Sequence, residues 1–238
     1  MDTRPTTATT TAAGAPGRRV RPRHAASLVL LRESPDGLRV LMGRRGLSAR
    51  FMPGFYVCPG GRVAAEDRHP WLGEAGEPAA AEGTVFRRLG RAALRETFEE
   101  TGILVGVPAR GVPARGEAAS PRFDIEAAYA AQGLAADLGL LTFIGRAITP
   151  TASPMRFDTS FFLADGAYAI GTHADGAELD DVAWHSADPD SDRAMSGVTR
   201  FMLARAVAVW RGDRAPAPLY RHIRMRAHIA VPVRRPGR

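Results

Sequence analysis

The sequence predicts an α/β (α+β) domain, a mixed β-sheet with helices packed against it. Three observations predict it. The N-terminal third holds short apolar runs punctuated by turn residues, "AASLVLLRE", "SPDG" and "LRVLMGRR". Two longer stretches, Thr84 to Thr101 and "RAMSGVTRFMLARAVAVW", keep a helical apolar period. Between those helices lie the strand candidates "LLTFIGRAI", "RFDTSFFLAD" and "ELDDVAWHS". Pattern alone leaves the strand order open.

Taken in order, residues 1–24 read as a flexible tail rich in Thr, Ala and Arg. Its acid-poor composition also imitates an organelle transit peptide, although a disordered bacterial tail is the preferred reading. The first two strands follow as a hairpin, with Pro35, Asp36 and Gly37 as its turn. "FYVCPGGR" reads as a short strand running into a Gly-Gly loop. Residues 68–83 carry Pro and Gly and read as an irregular insertion. In the first helix Phe86, Leu89, Ala93 and Thr97 form the inward stripe, and Gly102 is placed to end it. "GVPARGVPAR" is a tandem pentapeptide, read as loop rather than solenoid. "FDIEAAYAAQGLAADLG" is weakly helical. The expected domain spans residues 25–212, and residues 213–238 form a basic C-terminal segment.

Composition narrows the class. The chain has 238 residues, 45% of them hydrophobic, which suits one good-sized domain. The net charge is +7, and all 32 basic residues are arginine. Guanidinium groups suit phosphates and carboxylates, so a phosphorylated small molecule is the expected partner. Arginine-rich tails could also touch nucleic acid, but they lack interleaved aromatics, which argues against that as the main role. "RHIRMRAHIAV" reads first as a basic surface segment. The single cysteine, Cys58, allows no intrachain disulfide and reads as a small core side chain. With no apolar run long enough for a membrane helix and no secretory core, a cytoplasmic, bacterial setting is expected. The oligomeric state stays open, a homodimer among the options.

"RETFEETGI" carries the chemistry. Glu96, Glu99 and Glu100 fall at i, i+3 and i+4 and share one side of a helix. Glu96 and Glu100 border the apolar stripe, and Glu99 lies further towards solvent. Like charges at that spacing repel, and folding does not ask for them. Clustered hard oxygens suit Mg²⁺ or Mn²⁺, which also bind phosphate oxygens. Arg95, four residues before Glu99, can pair with and orient it. Gly60 and Gly61 let the backbone come close to the helix and the substrate.

Together, "PGGRVAAED" and "RETFEETGI" resemble the signature of the Nudix hydrolase family. Gly61 is followed after five residues by Asp67, and Arg95, Glu96, Glu99, Glu100, Gly102 and Ile103 match the second half. There are three departures. Asp67 stands where the family has Glu, unless Glu66 takes that place. The usual gap of seven before the arginine is here 27 residues, Arg68 to Leu94. Thr97 occupies an apolar position. The resemblance implies an α/β/α sandwich and metal-dependent hydrolysis of a nucleoside diphosphate linked to another moiety. It implies that Glu96, Glu99 and Glu100 bind the cations, and that one of them, or a later carboxylate, serves as base. Glu178, Asp180 and Asp181 are candidates for the later carboxylate, or else an acidic strand end. Asp67 is a further auxiliary carboxylate.

The insertion, "FMPGFYVCPGGRV" and "RFDTSFFLAD" are similar to the coenzyme A diphosphatase-like subgroup. Coenzyme A or an acyl-coenzyme A is then the implied substrate, with ADP-ribose, NADH or another dinucleotide or nucleotide sugar as alternatives. A Nudix-fold nucleotide sensor without catalysis is the other reading. Arg44, Arg45, Arg50, Arg62 and Arg156 are the first candidates for phosphate contacts, although each on its own reads first as a solvated surface charge.

Overall fold

The computed structural model describes residues 20–80, 83–109, 125–176, 178–223 and 226–230. Strands β1 (Arg23–Arg32) and β2 (Arg39–Arg45) open the fold, followed by β3 (Tyr56–Val57) and β4 (Gly60–Arg62). Helix α1 (Thr84–Thr101) precedes β5 (Leu104–Val105) and β6 (Val107–Pro108). Helix α2 (Ile125–Ala131) leads to β7 (Leu134–Ala135), β8 (Thr142–Ile148), β9 (Phe157–Asp165) and β10 (Ala169–Ile170). Strand β11 (Leu179–Ser186), helix α3 (Gly197–Trp210), and strands β12 (Leu219–Ile223) and β13 (Arg226–Ala230) complete it.

Among the described residues the main sheet runs β11-β2-β1-β9-β8-β12-β13, with β3 on β2 and β4 on β1. It is mixed: β1 pairs parallel with β9 and β12 parallel with β8, while the other pairs are antiparallel. β1 is buried on both faces, which explains its nearly continuous apolar sequence. Ala26, Leu28 and Leu30 join one core cluster with Leu89, Ala92, Ala93 and Leu94 of α1 and with Ile125, Ala128 and Tyr129 of α2. Val29 and Leu31 join a second cluster with Leu203 and Ala206 of α3. Helices therefore cover both faces, and the fold is the expected α/β/α sandwich with a mixed sheet.

Helix α1 has the bounds its periodicity predicts. Leu89, Ala93 and Thr97 of the expected stripe are buried, Phe86 packs against their cluster, and Gly102 closes the helix in the left-handed conformation at φ 76°. Other elements differ from the expectation. The Gly-Gly segment is not a loop but strand β4, with Ala26 opposite Gly61 and Ser27 opposite Gly60. The second helix starts only at Gly197, because Ser196 caps it by accepting from the Thr199 amide. Among the described residues of "FDIEAAYAAQGLAADLG", Ile125–Ala131 is α-helical, and Gly133 turns the chain at φ 63°. Within the expected basic C-terminal segment, Leu219–Ile223 and Arg226–Ala230 continue the sheet as β12 and β13. Arg23 and His24, expected in the tail, already belong to β1. Residues 1–19 of the expected tail and the repeat from residue 110 onward lie outside the described residues.

The described residues between the Glu66–Arg68 turn and α1 are irregular, as the Pro and Gly content of the stretch predicts, but they are firmly tied down. Trp71 is buried against Tyr129, with ring centroids 6.0 Å apart. Ala75 and Ala79 exchange backbone hydrogen bonds with the segment leading into β8: Ala75 with Ala136 and Leu138, Ala79 with Leu141 and Phe143.

Candidate active site

Arg95 is the hub of the site. Burying Ala92, Ala93 and Leu94 fixes the rotation of α1 and carries Arg95 to the edge of β4 and the turn Glu66–Arg68. Its Nε and Nη2 donate to the two oxygens of Asp67, at 3.0 and 3.1 Å. Nη1 donates to Glu96 at 3.0 Å and Glu99 at 2.9 Å, and Nη2 also reaches the Arg62 carbonyl at 3.0 Å. Asp67 is fully buried and also accepts from the Ala64 amide at 2.7 Å. A buried carboxylate needs such partners, so Asp67 is committed to holding Arg95.

Glu100 lies on the inner side of the same helix, where it accepts from the Gly60 amide at 2.8 Å. Strand β4 passes so near that a Cβ on Gly61 would lie 2.4 Å from the Glu96 carboxylate. A Cβ on Gly60 would lie 2.4 Å from the Ala26 carbonyl oxygen. Neither position has room for a side chain as things stand.

The electrostatics follow from burial. Loss of hydration pushes the Glu96 carboxyl up to about 7, against the pull of Arg95 and with the repulsion of Glu99. It pushes Glu100 up to about 8, against the Gly60 hydrogen bond and with the repulsion of Glu96. Glu99 is also raised, chiefly by burial. The charge of Glu178 adds repulsion at both Glu96 and Glu100.

The fold thus gathers Glu96, Glu99, Glu100, Arg95, Asp67, Gly60 and Gly61, with Glu178 close by. Arg45 approaches the same charges and pairs with Glu178 at 3.6 Å. Its Nε is buried without a hydrogen-bond partner among the described residues. Arg44 and Arg62 are exposed on β2 and β4. Arg156 is occupied elsewhere: it donates to the carbonyls of Val20 and Thr149. Asp181 accepts from the Tyr56 hydroxyl. Glu96, Glu99 and Glu100 could hold a cation; Arg95 occupies one oxygen of each of the first two and so orients them. Among the described residues no three acidic, imidazole or thiol side chains already stand as a ligand cluster. None of the described helices is long and apolar enough to cross a membrane.

One feature escapes sequence reasoning. Glu74, in the insertion, accepts two bonds from Arg91 of α1, from Nε and Nη2, each at 2.6 Å. Arg91 Nη1 donates to the Asp67 carbonyl at 3.1 Å. The "RLGRAALRE" run offers only its Arg91–Arg95 spacing as a hint, and nothing near Glu74 marks it.

The chain is similar to known structures. No family model matches the chain. A NUDIX hydrolase from Alicyclobacillus acidocaldarius is 33% identical, with a TM-score of 0.63, and the match covers 79% of this chain and 92% of that one. The chain belongs to the Nudix hydrolase family. A MutT NUDIX hydrolase from Burkholderia pseudomallei is 18% identical over 78% of this chain and 98% of that one, with a TM-score of 0.46. The NUDIX domain of Shewanella oneidensis NrtR, complexed with ADP ribose, is 13% identical over 80% of this chain and 90% of its own, at 0.48. At such values likeness says nothing of activity.

Proposed function

We propose that this Nudix hydrolase cleaves the diphosphate of a nucleoside diphosphate linked to another moiety, using Mg²⁺ or Mn²⁺ held by Glu96, Glu99 and Glu100. The observation that carries this reading is the gathering of three glutamates beside β4: Glu96 and Glu99 on Arg95, and Glu100 on the Gly60 amide, so close that a Cβ on Gly61 would meet the Glu96 carboxylate. Repelling, partly dehydrated carboxylates gain most from a divalent cation, and their hard oxygens match Mg²⁺ or Mn²⁺. When bound, such a cation polarises the phosphate and lowers the pKa of an attacking water.

The remaining work falls to this chain's own groups. Arg95 holds Glu96 and Glu99 in fixed rotamers. The general base is one of Glu96, Glu99, Glu100 and Glu178, all of which share the site. Asp67 holds Arg95 and does not act as an auxiliary base. Arg44, Arg45 and Arg62 are assigned to the substrate phosphates. Arg156, whose guanidinium is occupied, is better read as fastening the start of β1 to the turn before β9.

Coenzyme A or an acyl-coenzyme A is the substrate favoured by the insertion and by "FMPGFYVCPGGRV" and "RFDTSFFLAD". Its several phosphates suit the guanidinium groups of Arg44, Arg45 and Arg62. A reducing cytoplasm fits the lone buried thiol.

The test is turnover of a substrate panel with Mg²⁺ or Mn²⁺, with products identified by mass spectrometry. The panel holds coenzyme A, an acyl-coenzyme A, ADP-ribose and NADH. Phosphopantetheine release from coenzyme A is the expected result. Cleavage of ADP-ribose or NADH alone would replace the substrate. No turnover at all would make the protein a sensor.

A further inference from the structure

The insertion splits the signature of this family, yet it contributes one of the most buried ion pairs in the structure. The Glu74 and Arg91 side chains retain only 6% and 3% of their exposure. Isolated ions are strongly disfavoured in such a place, and the pair persists because its geometry is bidentate and saturated. Arg91 does not stop at Glu74. Its third donor holds the carbonyl of Asp67, whose carboxylate clamps Arg95. Arg95 in turn fixes Glu96 and Glu99. An unbroken run of contacts joins the insertion to the carboxylates: Glu74, Arg91, Asp67, Arg95, then Glu96 and Glu99. Arg91 and Arg95 are one helical turn apart on α1, so both grip the Glu66–Arg68 turn from the same side.

We propose that Glu74 and Arg91 are positioning residues for the carboxylate site, and that the insertion is a working part of it. This rests on the metal-site reading of Glu96 and Glu99. The Glu74 carboxylate fixes the Arg91 guanidinium. Arg91 sets the height of the Asp67 turn over α1, and that turn sets the Arg95 fork. With the pair broken, the three glutamates keep their places on the helix, but Arg95 loses its fixed counter-surface. The exposed pair between Arg87 and Glu77 anchors the same insertion without touching Asp67 and serves as the internal control.

The test uses the full chain and three variants, Glu74→Gln, Arg91→Lys and Arg87→Ala. Free Mn²⁺ is measured by electron paramagnetic resonance, and kcat and KM are measured on the substrate found by the panel. Groups that orient ligands typically change metal affinity or activity by about 10- to 100-fold. Glu74→Gln and Arg91→Lys should each weaken Mn²⁺ binding and lower kcat within that range, with KM changing less. Arg87→Ala should leave both unchanged. Arg91→Lys keeps the charge opposite Glu74 but loses the fork that reaches Asp67, so it decides the matter if Glu74→Gln does not fold. Folded Glu74→Gln and Arg91→Lys with wild-type Mn²⁺ affinity and kcat would overturn the inference and leave the proposed function standing. A loss in Arg87→Ala equal to that in the other two would also overturn it, since loop anchoring alone would then suffice. If the wild-type protein neither bound Mn²⁺ nor turned over any substrate, the functional reading would fail and take the inference with it.

Discussion

Helices α1 and α3 cover opposite faces of one sheet, and they bury different things. From α3 the core receives Met202, Leu203 and Ala206, with Thr199 as the one buried polar residue. From α1 it receives Leu89, Ala92, Ala93 and Leu94, but also Arg91, Arg95, Thr97 and Glu100. The α3 face shows that apolar residues suffice to close this sheet. Buried ions are weak evidence for stability, because dehydration offsets much of their attraction. The charges on α1 are thus better explained by chemistry than by folding.

Substitutions on the two helices should separate these roles. The largest effect is expected for Glu99→Gln, which removes one charge from the carboxylate set. It should lower kcat by orders of magnitude while the circular dichroism spectrum and melting temperature stay near wild type. An unchanged rate would remove Glu99 from the site. On the other face, Leu203→Ala should cost about 2–5 kcal/mol of stability by urea unfolding, because Leu203 is fully buried. The kcat of the protein that remains folded should not change. If it fell as far as in Glu99→Gln, the division between the helices would be wrong.

The next difference lies in pH. The folded protein holds the Glu100 proton up to about 8, whereas the ordinary value is 4.5. Between those values the folded state binds more protons than the unfolded one, so stability falls as pH rises. The contribution is fully present below about 4.5 and lost as pH passes through about 8. Melts in EDTA should therefore show wild type losing stability relative to Glu100→Gln as pH rises through this window. The same comparison against Leu203→Ala should show no such slope. The smallest effect is expected for Ser196→Ala, which removes the cap of α3. About 1 kcal/mol of stability should go, with kcat intact.

What could be read in advance depended on the range of the interaction. Helix α1 was legible to its last residue, because its stripe is periodic and Gly102 is a local stop. The pairing of Arg95 with Glu99 was legible for the same reason, being one turn long. Strand β4 was not, since Gly60 and Gly61 have little strand character and pair only because β1 lies beside them. The role of Asp67 was half legible: its position was marked, but its commitment to Arg95 depends on a contact across 28 residues. The Glu74–Arg91 pair left no periodic trace, because it joins an irregular loop to a helix. Strands β12 and β13 were hidden by a basic composition that also suits a surface tail, and β12 is held by parallel pairing with the distant β8.

Strand β1 sets a schedule for this enzyme. All of the α1 carboxylates, their arginine and the glycine strand have been synthesised by Gly102. Yet β1, which carries β4, stays unpaired along its other edge until β9 is made, and the two strands then meet over nine residue pairs, from Arg23 with Phe157 to Leu31 with Asp165. Parallel pairs of such sequence separation form late and slowly. The growing chain therefore holds every α1 carboxylate for some sixty residues before it can hold the sheet that aligns them. Until then an apolar strand edge and a set of repelling carboxylates are exposed together. A cation that reached the glutamates early would find a helix, but not yet a site.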